Sequence, residues 1–99
     1  MTSNTKLDEK LEGVDNFRAW KYKIKLILEE NDLDKYVEGE IGKPEEEEAK
    51  EKHRKEMIKA KRIIVDSIKD HLIPQVSSLK TPKAMFDALT LLVPNLAGL

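Results

Sequence analysis

The sequence predicts an all-α fold, a small helical bundle of three main helices joined by short helical turns. Three stretches carry apolar residues at helical spacing, and no segment alternates polar and apolar residues over the length of a strand. The prolines stand where these helices begin or end. The 99 residues suffice for one domain. We divide the chain into a flexible N-terminal segment (1–12), a helical domain (13–93) and a C-terminal tail (94–99).

The first helix is predicted from about Asn16 to Glu30, with Asp15 or Asn16 as its N-cap. Its main apolar stripe is expected in the core and consists of Phe17, Trp20, Ile24, Ile27 and Leu28. A weaker apolar set, Ala19, Tyr22 and Leu26, lies nearly opposite. A helix with one solvent-exposed side does not need a second apolar face, so this set either packs against a neighbouring helix or binds a partner.

A short turn over Leu33–Val37 follows, and then a glycine-containing loop in which Ile41 is expected to reach into the core. Pro44 is predicted to open the longest helix, and the four glutamates after it suit the positive end of the helix dipole. This helix should continue to about Leu72, where Pro74 stops it. Its predicted core residues are Met57, Ala60, Ile64, Ile68 and Leu72.

Thr81 and Pro82 predict the start of the last helix, which should end near Leu92, before Pro94. Eight of the residues from 84 to 93 are apolar, so this helix has little wet surface. We therefore expect an apolar surface that needs a partner. Its predicted protein-interaction residues are Met85, Phe86, Leu89, Leu92 and Val93, and Tyr22 with Leu26 form a second candidate face.

Composition excludes several classes of protein. The 18 basic and 19 acidic residues give a net charge of −1, which disfavours a globally basic nucleic-acid binder. The absence of cysteine excludes disulfides, Cys-ligated zinc and thiol catalysis. The start of the chain lacks an apolar signal region, and no apolar run approaches the ~20 residues of a membrane span. We expect a soluble, cytoplasmic protein with no membrane partner.

The polar residues do not indicate catalysis. His53 and His71 would lie about 27 Å apart on one continuous helix, too far to share a metal ion. The glutamates Glu45–Glu48 would fan around a helix, whereas a hard cation needs convergent oxygens. No nucleophile–base arrangement or phosphate-binding glycine loop is present. We expect no enzyme activity, no metal, no cofactor and no small-molecule substrate.

One face of the long helix is basic and carries Lys52, Lys55, Lys59 and Arg62. Such a row could follow the phosphates of a nucleic acid. Glu48 and Asp66 interrupt it, and no aromatic residue stands among its cations to stack on bases. A solvated face is the preferred interpretation, and a nucleic-acid accessory module that binds RNA weakly is the alternative.

Four segments in order resemble the N-terminal region of Gag polyproteins from copia-type LTR retrotransposons. The first segment is Leu11–Asn31, in which an opening with Gly13, Phe17 and Trp20 leads into an amphipathic helix. The others are Asp32–Gly39, Ala60–Leu72 and Leu79–Leu89. The resemblance implies a helical, capsid-like protein that self-associates and packages RNA. It assigns packing roles to Phe17, Trp20 and the pair Phe86–Asp87, and it implies no catalytic residues.

A second helical lobe and a zinc knuckle would be expected in the family after residue 89, and this sequence has neither, which predicts a truncated Gag. We therefore expect a capsid-like interaction domain whose partners are itself or other Gag-like subunits. A relic without a selected role is the remaining alternative.

Overall fold

The computed structural model describes residues 10–39, 41–42 and 44–97, and for Val14 and residues 93–97 it describes the backbone alone. The predicted all-α bundle is confirmed. Over these residues, three long helices form the body, together with one short helix and two 3₁₀ turns. In chain order they are a 3₁₀ turn at Val14–Asn16, α1 at Phe17–Glu30, α2 at Lys35–Glu38, α3 at Glu47–Asp66, a 3₁₀ turn at Asp70–Gln75 and α4 at Pro82–Ala97.

The core of α1 follows the predicted periodicity, since Phe17, Trp20, Ile24, Ile27 and Leu28 are all buried. Asn16 occupies the predicted N-cap position, but its side chain makes no capping hydrogen bond. The side chain of Asn16 turns back instead: its Oδ1 accepts the N–H of Glu12 at 3.1 Å, and its Nδ2 donates to the carbonyl of Lys10 at 2.8 Å. The 3₁₀ turn leads directly into α1, so Asn16 stabilises the approach to the helix instead of its first turn.

Helix α3 is shorter than predicted. It begins at Glu47, three residues after Pro44, and the backbone of Glu46, the residue before it, is extended. It ends at Asp66, before Leu72. The segment after it pairs with Leu11: the Leu11 N–H donates to the Ser67 carbonyl at 2.8 Å, and the Lys69 N–H donates to the Leu11 carbonyl at 2.9 Å. This pairing takes the backbone groups that a continuous helix would use.

Leu11 is fully buried, so the globular body includes at least Leu11 and the predicted boundary at residue 13 is wrong. At the other end, α4 continues past Pro94 to Ala97, and the predicted tail 94–97 is helical. A proline has a helical φ, but it removes one backbone hydrogen bond and its ring crowds the carbonyl four residues earlier; here the helix ends three residues after it.

The core also includes side chains from α3, from α2 and from the segments that connect the helices. Ala60, Ile64, Ile68 and Leu72 are buried as predicted, and Met57 is partly buried against them. Ile41 is 39% exposed, so its predicted place in the core is wrong. The segment around α2 contributes to the core instead, since Leu33, Tyr36 and Val37 are buried.

Candidate interaction surface

The predicted interaction residues of α4 lie mostly inside the bundle. Met85, Phe86 and Leu89 are 3%, 6% and 0% exposed, and the ring of Phe86 stacks on Trp20 with the centroids 5.9 Å apart. The prediction that these three side chains need a partner is therefore wrong. Their spacing places them on one side of α4, and the other helices already cover that side. Leu92 is partly buried, and the side chain of Val93 lies outside the described residues.

The start of α4 follows the predicted capping pattern. The Thr81 hydroxyl accepts the N–H of Ala84 at 3.1 Å, which confirms the predicted cap, and Pro82 occupies the first helical position. The outward side of α4 carries Leu91, which is 67% exposed. Sequence reasoning missed this residue, although a position two residues after a buried one in a helix lies on the opposite side.

The second candidate face, on α1, is exposed. Tyr22 is 68% and Leu26 is 41% exposed, and Ala19, one turn earlier, is exposed too. No described helix packs over these side chains, so the alternative in which α1 is sandwiched between neighbours does not hold among the described residues. The opposite side of the same helix is held in the core by Trp20 and Ile24. This surface therefore lies on a helix whose other side is anchored in the core.

Positive charge surrounds this apolar set. Arg18, Lys23 and Lys25 are exposed and Lys21 is half-buried. In the part of the chain that the structure describes, none of the four forms an ion pair with a carboxylate. The region 17–28 contains no acidic residue. We call Ala19, Tyr22 and Leu26 together with Arg18, Lys21, Lys23 and Lys25 the α1 outer face. Sequence reasoning found the apolar residues of this face and missed its charge.

The basic row of α3 is mixed in charge. Lys52, Lys55, Lys59 and Arg62 are all exposed, but Arg62 pairs with Asp66 at 3.6 Å. The three lysines line an open groove of about 490 Å³ together with Glu48, Glu51 and Glu56. Carboxylates among the lysines repel phosphates, so the solvated-face interpretation suits this arrangement better than nucleic-acid binding.

The buried polar groups hold the bundle together. The indole N–H of Trp20 donates to the Ser67 hydroxyl at 2.9 Å, and that hydroxyl donates to the Ile64 carbonyl at 2.6 Å. The Tyr36 hydroxyl donates to Glu56 at 2.7 Å. Burial, followed by this hydrogen bond and the charge of Glu56, raises the pKa of Tyr36 to about 12. The first network joins α1 to the residue that follows α3, and the second joins α2 to α3.

The two histidines have separate surroundings. The buried ring of His53 lies 5.5 Å from that of Tyr36, between centroids, whereas His71 is exposed, with its Nε2 3.0 Å from the carbonyl oxygen of Glu12. Among the described residues, no three His, Asp or Glu side chains are grouped so that they could hold a metal ion.

Comparison with known proteins adds no relative: no family model, no curated protein and no solved structure matches this chain. None of the helices in the described part of the chain combines the length and the apolar character needed to cross a membrane.

Proposed function

We propose that this chain is a non-enzymatic, capsid-like interaction domain of the Gag type, which associates with copies of itself or with other Gag-like subunits through the α1 outer face. The observation that carries the proposal is the exposure of Tyr22 and Leu26 on neighbouring turns of one helix. The resemblance of four ordered segments to copia-type Gag supplies the class of partner. The surface itself is an inference from the exposed residues.

The apolar part of this face is continuous. Ala19, Tyr22 and Leu26 stand at i, i+3 and i+7, so their side chains follow one another along the helix. Isolated apolar residues are common on protein surfaces and need no explanation, whereas a row of this kind is typical of a helix that packs against another protein. Tyrosine is also enriched at the centres of protein interfaces, because its ring buries a large area with few rotatable bonds.

The proposal is tested by sedimentation velocity over a wide range of protein concentration. We expect the wild-type chain to associate and the Leu26→Asp variant to remain monomeric, because the new carboxylate would be desolvated at the interface. Leu91→Asp is the matched control, since it introduces the same charge at an exposed leucine of α4. Equal association of all three proteins would refute the role of the α1 outer face.

The second class of partner needs its own experiment. A copia-type Gag polyprotein, co-expressed with this chain, should retain it on affinity capture through the same face, and Leu26→Asp should reduce the captured amount. A subunit of this size that joins intact Gag should also lower the yield of virus-like particles. An unchanged particle yield would exclude that consequence.

A further inference from the structure

Charge is segregated along this nearly neutral chain. The net charge is −1, yet the residues 17–28 of α1 hold four cations and no carboxylate. The residues 45–51, which lead into α3 and form its first turn, hold five glutamates and one lysine. We call Glu45, Glu46, Glu47, Glu48 and Glu51 the acidic start of α3. Each copy therefore carries one basic and one acidic surface, on different helices.

The acidic start of α3 is as accessible as the α1 outer face. All five glutamates are exposed. Glu47 lies 3.7 Å from Lys50, with 92% of its side chain exposed, and Glu51 pairs with Arg54. Glu45, Glu46 and Glu48 form no ion pair with the residues that the structure describes. Three carboxylates are thus available to an external cation without the loss of a described ion pair.

The cations of the α1 outer face border its apolar row. At 100° per residue, Arg18 and Lys25 lie along one side of Tyr22, and Lys23 lies along the other. An acidic helix end placed on Tyr22 and Leu26 would therefore meet positive charge on both sides. Among the described residues no ion pair joins α1 to the start of α3, so the charged groups of the two surfaces are not paired there within one copy.

We infer that the acidic start of α3 of a second copy docks on the α1 outer face. This inference rests on the proposed function and names the partner segment and its chemistry. Two copies can make this contact reciprocally about a twofold axis, or each copy can join the next head to tail into a ring or an open chain.

Charge and apolar contact have separate roles in this contact. Exposed ion pairs are individually weak, so Tyr22 and Leu26 supply the buried area and the charges select the orientation and speed the encounter. Salt screens charges over a distance that shrinks from about 10 Å at 0.1 M to about 3 Å at 1 M. Association should weaken steadily as salt is added.

The experiment reverses each surface in turn. The basic-face variant is Arg18→Glu with Lys25→Glu, and the acidic-start variant is Glu45→Lys with Glu46→Lys. Each is expected to weaken self-association at low salt by at least about tenfold, because like charges then face each other. The matched control for the basic-face variant is Lys55→Glu with Lys59→Glu, which makes the same change in net charge on α3 and should leave association unaltered.

Mixing the two variants gives the decisive readout. Alone, each variant should sediment as a monomer. In a 1:1 mixture, the α1 outer face of the basic-face variant is acidic and the start of α3 of the acidic-start variant is basic. These two surfaces should bind each other, and a complex should form. Combining all four substitutions in one chain should likewise restore self-association. Failure of both the mixture and the combined variant to associate would overturn the inference.

The outcomes separate this inference from the proposed function. If association resists salt and both reversals but is lost in Leu26→Asp, the α1 outer face is an apolar interface and the charge pairing is wrong. If Leu26→Asp associates as the wild-type chain does, the proposed function itself is wrong. If copies stay apart and a single-stranded oligonucleotide binds Arg18 and Lys25 instead, the partner is a nucleic acid and the inference is overturned.

Discussion

Replacing Ser67 by alanine should destabilise the bundle through a single buried donor. Ser67 is 1% exposed, and its hydroxyl accepts the indole N–H of Trp20 at 2.9 Å. Among the described residues no buried side-chain polar atom lacks a partner. Ser67→Ala would leave the indole N–H of Trp20 buried without an acceptor. A lost hydrogen bond costs about 1 kcal/mol and a stranded buried donor about 1–3 kcal/mol, so we expect a loss near 2 kcal/mol.

Urea unfolding followed by tryptophan fluorescence measures this loss, since Trp20 is the sole tryptophan. In thermal unfolding, a loss of about 2 kcal/mol should lower the melting temperature by about 8–16 °C, since 1 kcal/mol corresponds to about 4–8 °C for a domain of this size. Ser77→Ala, at an exposed serine, is the control and should stay within about 0.5 kcal/mol of the wild type. A Ser67→Ala loss below about 0.5 kcal/mol would refute the reasoning, because water would then be satisfying the indole.

Three further changes probe other parts of the fold. Leu89→Ala should cost about 2–5 kcal/mol in urea unfolding, whereas Leu91→Ala should be nearly neutral, since only the first side chain is buried. Thr81→Ala should cost about 0.5–2 kcal/mol by removing the cap of α4. The pKa of Tyr36 is about 12 in the folded protein and about 10 in the unfolded chain, so the unfolded chain loses this proton first. The free energy of unfolding of the wild-type protein should therefore decrease between about pH 10 and pH 12, and that of the Tyr36→Phe variant should decrease less. Equal decreases in the two proteins would contradict the effect of burial on the pKa of Tyr36.

Local signals predicted much of the fold. The spacing of Trp20, Ile24 and Ile27 determines which side of α1 is buried, because a helix repeats every 3.6 residues whatever surrounds it. Thr81 followed by Pro82 likewise predicted the start of α4, since both residues act on the backbone beside them.

The end of α3 could not be predicted in this way. Its apolar periodicity continues to Ile68 and Leu72, which are indeed buried. The helix nevertheless stops at Asp66, because Leu11 supplies backbone hydrogen bonds to the next segment. A contact with a residue so distant in sequence leaves no mark in the local pattern. The side chain of Ser67, which accepts from Trp20, acts in the same long-range manner.

The candidate surface was the least predictable part, for a reason visible in α4. The many apolar residues of α4 suggested a missing partner. A small bundle, however, needs these residues to cover Trp20 and the other core side chains. Apolar content alone does not distinguish a core from an interface; the side of the helix does. Leu89→Asp would place an unpaired carboxylate in the core and unfold the protein, so a loss of association in that variant would say nothing about an interface. Leu26→Asp changes an exposed position and leaves the core intact, and it is therefore the substitution that can separate association from folding.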